Sequence, residues 1–191
     1  MIFELSTHEL DRIFGEEHVK RVPLDGAAAV GITGETLSFL TEIGLPKNQF
    51  ITFPDFETPR AAFRDVSLEE LGSTWHLPDS AENWIVLGNF EISAIVLDTH
   101  SGEVHQLAEG IMRPIPLHGD ISSLVKTIAA LTALTAALPD DYEDDEEALE
   151  ALEEDLENLK RTISARDERP FAHENSEWVE VFTSIGAGMW G

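Results

Sequence analysis

The sequence predicts an α+β fold: a single domain in which a mostly antiparallel sheet, arranged as a meander, packs with helices and precedes a C-terminal helical part. Residues 84–107 divide into three short apolar segments separated by turn residues, a pattern typical of consecutive antiparallel strands. Residues 121–138 change to the three- and four-residue apolar spacing of a helix, and residues 149–163 repeat this spacing among many carboxylates. At 191 residues the chain suits one domain with a substantial core.

Capping residues predict the first helix. Ser6 or Thr7 can cap a helix that continues to about Phe14, with Glu9 placed three residues after Ser6 as in a capping box. Gly15 then ends the helix, because glycine readily adopts the positive φ angle that commonly follows one.

Breaking residues divide the segment that follows. A second helix is predicted over residues 34–43, and the glycine and proline within residues 44–46 end it. Residues 48–53 predict a strand. Residues 54–78 carry mixed signals and are predicted to be irregular, with a short helical possibility at residues 67–71.

The meander contains a candidate central strand. Residues 92–97 are nearly all apolar on both faces, as expected for a strand that is covered on both sides. Asp98 can accept hydrogen bonds from the backbone of the following turn, and Gly102 can adopt positive φ, so the chain can reverse. Residues 111–116 predict a last strand, which Pro114 would confine to an edge of the sheet.

Three helices are predicted after the sheet. The first covers residues 121–138 and ends at Pro139, and residues 140–145 then predict a polar linker too charged to pack. An acidic amphipathic helix completes residues 140–166, with its carboxylates on a solvated face between inward-facing apolar residues. A final helix is predicted over residues 176–185. The inward-facing residues of the last two helices are Leu149, Leu152, Leu156, Leu159, Ile163, Trp178, Val179, Val181 and Phe182.

The charge balance restricts the partners. The chain has 37 acidic and 12 basic residues, a net charge of −25, and residues 140–157 hold 12 carboxylates without a lysine or arginine. Such a surface repels nucleic-acid phosphates and anionic lipids and attracts basic proteins. We therefore expect no direct nucleic-acid binding and no membrane binding, while general solubility remains the alternative explanation of the charge.

The cellular compartment is predicted from features that the sequence lacks. It has no apolar run near 18 residues, no basic segment followed by a hydrophobic one at its start, and no cysteine. Without cysteine it has neither a disulfide framework nor a thiolate metal site. These features predict a cytoplasmic protein.

Catalytic motifs are missing from the sequence. It contains no phosphate-binding glycine loop, zinc-protease motif, nucleophile elbow or calcium loop. His100 and His105 flank one turn, so a metal site there would need Asp98 or Glu103 to converge with them, and exposed hairpin residues are the simpler interpretation. Asp98 could also act as a general base, but its place at the end of a strand favours a structural contact with the turn.

The four tryptophans divide into two pairs. Trp84 opens the meander and Trp178 lies on an apolar helical stripe, so both are predicted to lie in the core. Trp75 follows a short turn and Trp190 lies next to the last residue, so these two are candidates for an interface, where tryptophan is often a main contributor to binding.

Several short segments resemble one known family. Gly88, Leu97-Asp98 and Gly102-Glu103-Val104, together with residues 39–46 and 50–53, resemble the SUKH superfamily of bacterial toxin-immunity proteins, in particular its fourth subfamily. The resemblance implies a single immunity domain over residues 1–191 in the cytoplasm of a toxin-producing bacterium. It also implies that the protein occludes a cognate polymorphic toxin, often a nuclease or nucleic-acid deaminase domain.

The leading hypothesis is therefore an immunity protein without catalytic activity or cofactor, which binds a basic toxin domain through an acidic surface. One alternative is a small-ligand or metal-binding enzyme that uses a pocket near His100 and His105. Another is an adaptor that pairs its leucine-striped helix with itself or another helix, and the oligomeric state stays open. The candidate partner-binding residues are Asp140, Asp141, Glu143, Asp144, Asp145, Glu146, Glu147, Glu150, Glu153, Glu154, Trp75 and Trp190.

Overall fold

A computed structural model of the chain describes residues 1–54, 64–65, 75–139, 142 and 145–189. The prediction of a helix at residues 67–71 therefore lies outside the described residues. The helices are α1 (Thr7–Phe14), α2 (Leu24–Ala29), α3 (Gly34–Ser38, continued by a π-helix, Phe39–Ile43), α4 (Ile121–Thr135), α5 (Glu146–Ser164) and α6 (Glu177–Gly186). The strands are β1 (Val19–Lys20), β2 (Leu45–Pro46), β3 (Arg64–Asp65), β4 (Trp84–Asn89), β5 (Ser93–Asp98), β6 (Val104–Ala108) and β7 (Ile115–His118).

The meander is confirmed. Strands β3 to β7 form an antiparallel sheet in chain order, and β1 pairs with β2 separately. Strand β5 is covered on both faces, because Ile95 and Leu97 belong to the main core while Val96 packs into a second cluster on the other side. Ile92, which we predicted within this strand, lies outside it and is exposed. The α+β class is thus confirmed.

Two glycines of the meander act through their backbones. Gly88 lies at an irregularity in the pairing of β4 with β5, where a Cβ atom would lie 2.9 Å from the carbonyl oxygen of Thr52. Gly102 has a φ angle of 79°, and its N–H donates to the carbonyl of Asp98 to close the turn. Both positions therefore need glycine.

The predicted strand at residues 48–53 is wrong. The side chain of Asn48 accepts hydrogen bonds from the backbone N–H groups of Phe50 and Ile51, at 2.9 and 2.8 Å, so the chain turns here. Only Thr52 forms a bridge, with Asn89. An Asx turn competed with the strand and took its backbone donors.

The other boundary corrections are smaller. The last strand is Ile115–His118 rather than residues 111–116, although it does lie at an edge of the sheet as predicted. The supposedly irregular segment contains β3, which pairs with β4. The linker before α5 is not wholly unpacked, because Tyr142 is buried in the main core. Aromatic burial there outweighs the surrounding charge.

Five helices lie where the sequence predicts them, namely α1, α3, α4, α5 and α6, whereas α2 was not predicted. Ser6 accepts from the N–H of Glu9 to cap α1, whereas the Glu9 carboxylate, which a full capping box would turn back onto the cap, binds Lys126 at 2.9 Å. Helix α4 contacts α1, α5 and the edge strand β7 and buries a continuous apolar face in the main core. No helix in the described part of the chain is long and apolar enough to cross a membrane.

Candidate partner-binding surface

Helix α5 is held on the domain by its apolar stripe. Leu152, Leu156 and Ile163 are buried in the main core, and Leu149 and Leu159 pack against it. The stripe therefore faces the protein's own interior, which leaves it unavailable for pairing with another helix. Because the stripe fixes the rotation of α5, the residues between the leucines face outward.

Asp145 begins this helix. Its carboxylate Oδ1 accepts hydrogen bonds from the backbone N–H groups of Glu147 and Ala148, at 3.0 and 3.2 Å. This cap satisfies two of the free donors at the start of the helix, and the negative charge there is favoured by the helix dipole. Of the predicted partner-binding residues, Asp145 thus also has a structural task.

The outward side of α5 is a dense row of carboxylates, which we call the acidic face. Among ion pairs between described residues, only Glu157 of this face has a partner, Lys160, at 3.5 Å. Like charges three or four residues apart on a helix repel one another by about 0.2–0.5 kcal/mol per pair. The exposed members are Glu146, Glu147, Glu150, Glu153, Glu154, Asp155 and Glu157.

A partly apolar groove runs beside the acidic face, between α5 and α6, with a volume of about 400 Å³. We call it the α5–α6 groove. Its walls include Leu156, Phe182 and Phe171, and the last two pack edge to face with ring centroids 4.8 Å apart. Glu153 and Glu157 of the acidic face line the same groove, as does Lys160. Charge and apolar surface therefore adjoin, as they do in many protein interfaces.

A buried polar network fixes α6 to the sheet. The indole Nε1–H of Trp178 donates to Nε2 of His118 at 2.7 Å, so the neutral imidazole carries its proton on Nδ1 and donates it to Ser123 Oγ at 2.9 Å. The Ser123 hydroxyl in turn donates to Oδ2 of Asp167 at 2.6 Å, which also accepts from the Gly119 N–H. The network thus joins β7, α4, the segment that follows α5, and α6.

The network contains the residue types of a hydrolase triad but has a different arrangement. Here the serine lies between His118 and Asp167, whereas in a triad the imidazole lies between serine and aspartate. The side chains of His118 and Asp167 are also fully buried. These three residues therefore support the fold.

Burial sets the protonation of this network. It lowers the pKa of His118 to about 3, against the charges of Asp167 and Asp120, which favour the protonated ring. Burial by itself would raise the pKa of Asp167, but hydrogen bonds from the Gly119 N–H and the Ser123 hydroxyl outweigh it and hold that pKa below its ordinary value. The histidine is neutral and the aspartate is charged at pH 7.

We predict that His118 makes stability fall on acidification. The unfolded chain binds a proton to this ring below pH 6.5, whereas the folded chain stays neutral there until about pH 3. Its contribution is thus present above pH 6.5 and is lost between these values, by up to about 1.4 kcal/mol per pH unit. Urea unfolding measures how the free energy of unfolding changes with pH. The pH should be varied from about 7 to about 4.5, which stays above the range where Asp167 titrates.

His118→Gln is the matched variant, because a glutamine amide oxygen can still accept from Trp178 but does not titrate. The free energy of unfolding of the wild type relative to this variant should decline as the pH falls. A difference that is constant across the range would contradict the prediction.

The candidate residues from the sequence fall into three groups. The structure brings Glu146, Glu147, Glu150, Glu153 and Glu154 together on the acidic face, all exposed. Trp75 is half-buried against the second core cluster, so its ring is partly used by the fold. Asp140, Asp141, Glu143, Asp144 and Trp190 lie outside the described residues.

The two core tryptophans and Asp98 are confirmed in their structural roles. Trp84 and Trp178 are buried. The Oδ1 atom of Asp98 accepts from the N–H groups of His100 and Ser101, at 2.9 and 3.1 Å, and its Oδ2 accepts from Trp84 Nε1 at 3.1 Å. All these contacts are structural, as the turn position of Asp98 predicts.

The two histidines of the hairpin have different surroundings. His100 is exposed, whereas His105 is half-buried and stacks on the Trp84 ring with centroids 4.6 Å apart. We predicted exposure for both, so the prediction for His105 is wrong: an aromatic partner across the sheet covers its ring. Within the described residues, no group of three or more histidines and carboxylates is placed to hold a metal ion.

Sequence reasoning missed the network around His118 and the buried carboxylate of Glu177. His118 to Asp167 spans 49 residues and Glu177 to its partner Ser93 spans 84, so no local pattern connects them. The available signal was weaker: Glu177 precedes the apolar Trp178 in a predicted helix, and His118 follows the apolar Leu117. The hydrogen-bond partners of these two residues could be found only by predicting how the helices and strands pack.

Exposed charge beside a partly apolar groove, on a helix fixed by buried leucines, is an arrangement suited to binding another protein. The chain belongs to the SUKH-4 immunity protein family, whose model matches residues 5–184. This confirms the resemblance found in the sequence and shows that the function is immunity, with a cognate toxin protein as the partner. It also indicates a non-enzymatic role. No curated protein and no solved structure matches the chain.

Proposed function

We propose that the protein neutralises its toxin by laying the acidic face and the α5–α6 groove against a basic surface of the toxin domain. The partner in this proposal is a nuclease or nucleic-acid deaminase domain, since such enzymes carry a basic groove for phosphates. The acidic face would dock there in place of the nucleic acid and block access to it.

One observation carries the proposal. The acidic face holds a row of exposed carboxylates on a helix fixed by buried leucines, and only one of them has an ion-pair partner among the described residues. General solubility needs no such concentration on one rigid surface. Mutual repulsion on the free protein is relieved when a cationic partner binds, so the arrangement favours the complex.

The α5–α6 groove adds apolar contact, which slows dissociation of the complex. Exposed ion pairs contribute about 0–1 kcal/mol each and mostly accelerate association. Apolar burial in the groove beside them slows dissociation, because tightly packed anchors determine most of the lifetime of a complex. The two features together suit a complex that forms quickly and lasts.

A cytoplasmic location belongs to the same proposal. The absence of cysteine is typical of reducing compartments, where a producing cell would need protection from its own toxin. The net charge of −25 disfavours direct binding to nucleic acid or anionic lipid.

The test is the association rate with a candidate toxin domain from a gene beside this one. We expect the triple variant Glu150→Gln, Glu153→Gln, Glu154→Gln to associate about ten-fold more slowly at about 50 mM salt, because the steering charge is reduced. The difference should shrink at about 300 mM salt, where exposed charges are screened. Surface plasmon resonance or stopped-flow fluorescence measures both rates.

A matched control separates local charge from net charge. The triple variant Asp79→Asn, Glu82→Gln, Glu16→Gln removes three exposed carboxylates elsewhere, two of them beside the second core cluster on the other side of the sheet. It should associate at nearly the wild-type rate. Equal slowing of both variants, or slowing of neither, would remove the acidic face from the interface.

A further inference from the structure

A second groove lies on the other side of α6, between this helix and the tip of the β4–β5 hairpin. We call it the hairpin groove, and its volume is about 560 Å³. Phe50, Phe90 and Val181 contribute buried apolar surface to it, while Ile92 and Met189 stand at its opening. Helix α6 thus separates this groove from the α5–α6 groove.

Exposed apolar side chains concentrate here. Ile92 and Met189 are each 71% exposed, the highest values among the large hydrophobic residues in the described part of the chain. Both line the hairpin groove. Single exposed apolar residues are ordinary, but a pair beside one groove provides apolar surface that a partner can cover.

The groove also holds a nearly buried carboxylate. Glu177, the first residue of α6, is 8% exposed, and its Oε1 accepts a hydrogen bond from Ser93 Oγ at 2.9 Å. Glu91 and Glu180 line the same groove, and none of the three forms an ion pair with a described residue. Burial raises the pKa of Glu177, and the charges of Glu180 and Glu91 raise it further. Among the described residues, no cation thus pairs with these three carboxylates.

We infer that the hairpin groove receives a lysine or arginine side chain, with an apolar neighbour, from a surface segment of the toxin domain. This inference rests on the proposed function. The cationic group reaches Glu177 between Glu91 and Glu180, and its aliphatic stem lies along Phe50 and Phe90. The apolar neighbour covers Ile92 and Met189.

The chemistry selects this occupant over others. Lysine and arginine combine a long apolar stem with a positive head, so they match a groove with apolar walls and carboxylates. An anionic or phosphorylated ligand would meet three carboxylates and be repelled. Because Glu177 is largely removed from water, its pairing with a cation affects the lifetime of the complex more than its rate of formation.

Glu177→Gln tests the inference. Glutamine keeps an oxygen that accepts from Ser93, so the variant should fold, while the charge is lost. We expect its complex with the candidate toxin domain to dissociate about 30-fold faster, with the association rate changed by less than about three-fold. Glu174→Gln makes the same charge change at an exposed position just before α6 and should behave like the wild type.

Ile92→Ser is the second variant, and it should fold normally because Ile92 is exposed. It should also speed dissociation, by about five-fold, since apolar contact is lost. The inference would be overturned if the complexes of both Glu177→Gln and Ile92→Ser dissociated at the wild-type rate. If they bind normally while the Glu150, Glu153, Glu154 variant associates slowly, the hairpin groove is excluded and the proposed function stands.

A photo-crosslinker in place of Ile92 identifies the occupant directly. We expect it to capture a peptide of the toxin domain that contains lysine or arginine, as determined by mass spectrometry. A crosslink to a toxin peptide without either residue, or to a second copy of this chain, would overturn the inference.

Discussion

Replacing Trp178 with alanine should lower the free energy of unfolding by about 3–5 kcal/mol, a large part of the stability of a domain this size. The side chain is fully buried, with its ring 5.2 Å from that of Phe90 and 6.2 Å from that of Phe50. Alanine would leave a cavity and remove the hydrogen bond to Nε2 of His118. Urea unfolding followed by circular dichroism measures the loss.

Trp178→Phe separates the two contributions. Phenylalanine keeps most of the aromatic packing but leaves the buried Nε2 of His118 without its donor, so we expect a smaller loss, about 1–3 kcal/mol. An exposed substitution on the same helix, Glu180→Ala, should change stability by less than about 0.5 kcal/mol. A loss below about 1 kcal/mol for Trp178→Ala would show that this network does not hold α6.

This prediction also bears on binding. Helix α6 forms a wall of both the α5–α6 groove and the hairpin groove. The position of both grooves therefore depends on the attachment of one helix, and Trp178 is its buried anchor. Weakening that anchor should reduce toxin binding even when every surface residue is unchanged.

Replacing Asp98 with alanine should lower the free energy of unfolding by about 2–4 kcal/mol. The carboxylate accepts from the backbone N–H groups of His100 and Ser101 and from the buried indole of Trp84, and alanine leaves all three donors unpaired. Asp98→Asn should cost less, about 1–2 kcal/mol, because its amide oxygen can still accept from the turn. Its amide N–H groups would then face the indole N–H, which is also a donor.

A double-mutant cycle with Trp84→Phe isolates the indole contact. Phenylalanine lacks the N–H, so the cost of Asp98→Asn should fall by about 1 kcal/mol in that background. Equal destabilisation by Asp98→Ala and Asp98→Asn would indicate that the turn contacts contribute little. Such a result would contradict the expected contribution of the Asp98 turn contacts to stability.

The elements predicted well are those whose signals are local. Helix α5 follows from the three- and four-residue spacing of its leucines. The meander follows from β5, whose two apolar faces require cover on both sides. Such signals lie within a few residues of one another, so they can be recognised without knowledge of the tertiary structure.

The errors arose where the interactions of one side chain outweigh the average composition of its segment. Residues 48–53 have the apolar composition of a strand, yet one asparagine side chain takes two of the backbone donors that a strand would use. The stretch before α5 is acidic enough to predict a solvated linker, yet Tyr142 is buried in the core. Composition averages over a segment and does not show which single side chain dominates.

The candidate site divides in the same way. The acidic face was predictable, because its carboxylates and its leucines belong to one helix and share one period. The grooves and the network of His118 were not, since they depend on residues from β4, β7, α4 and α6 that meet only when these elements pack. Helical period is a property of neighbouring residues, whereas a groove is a property of the space between elements. The sequence thus shows where this protein is acidic, and packing decides which apolar surfaces stand beside that charge.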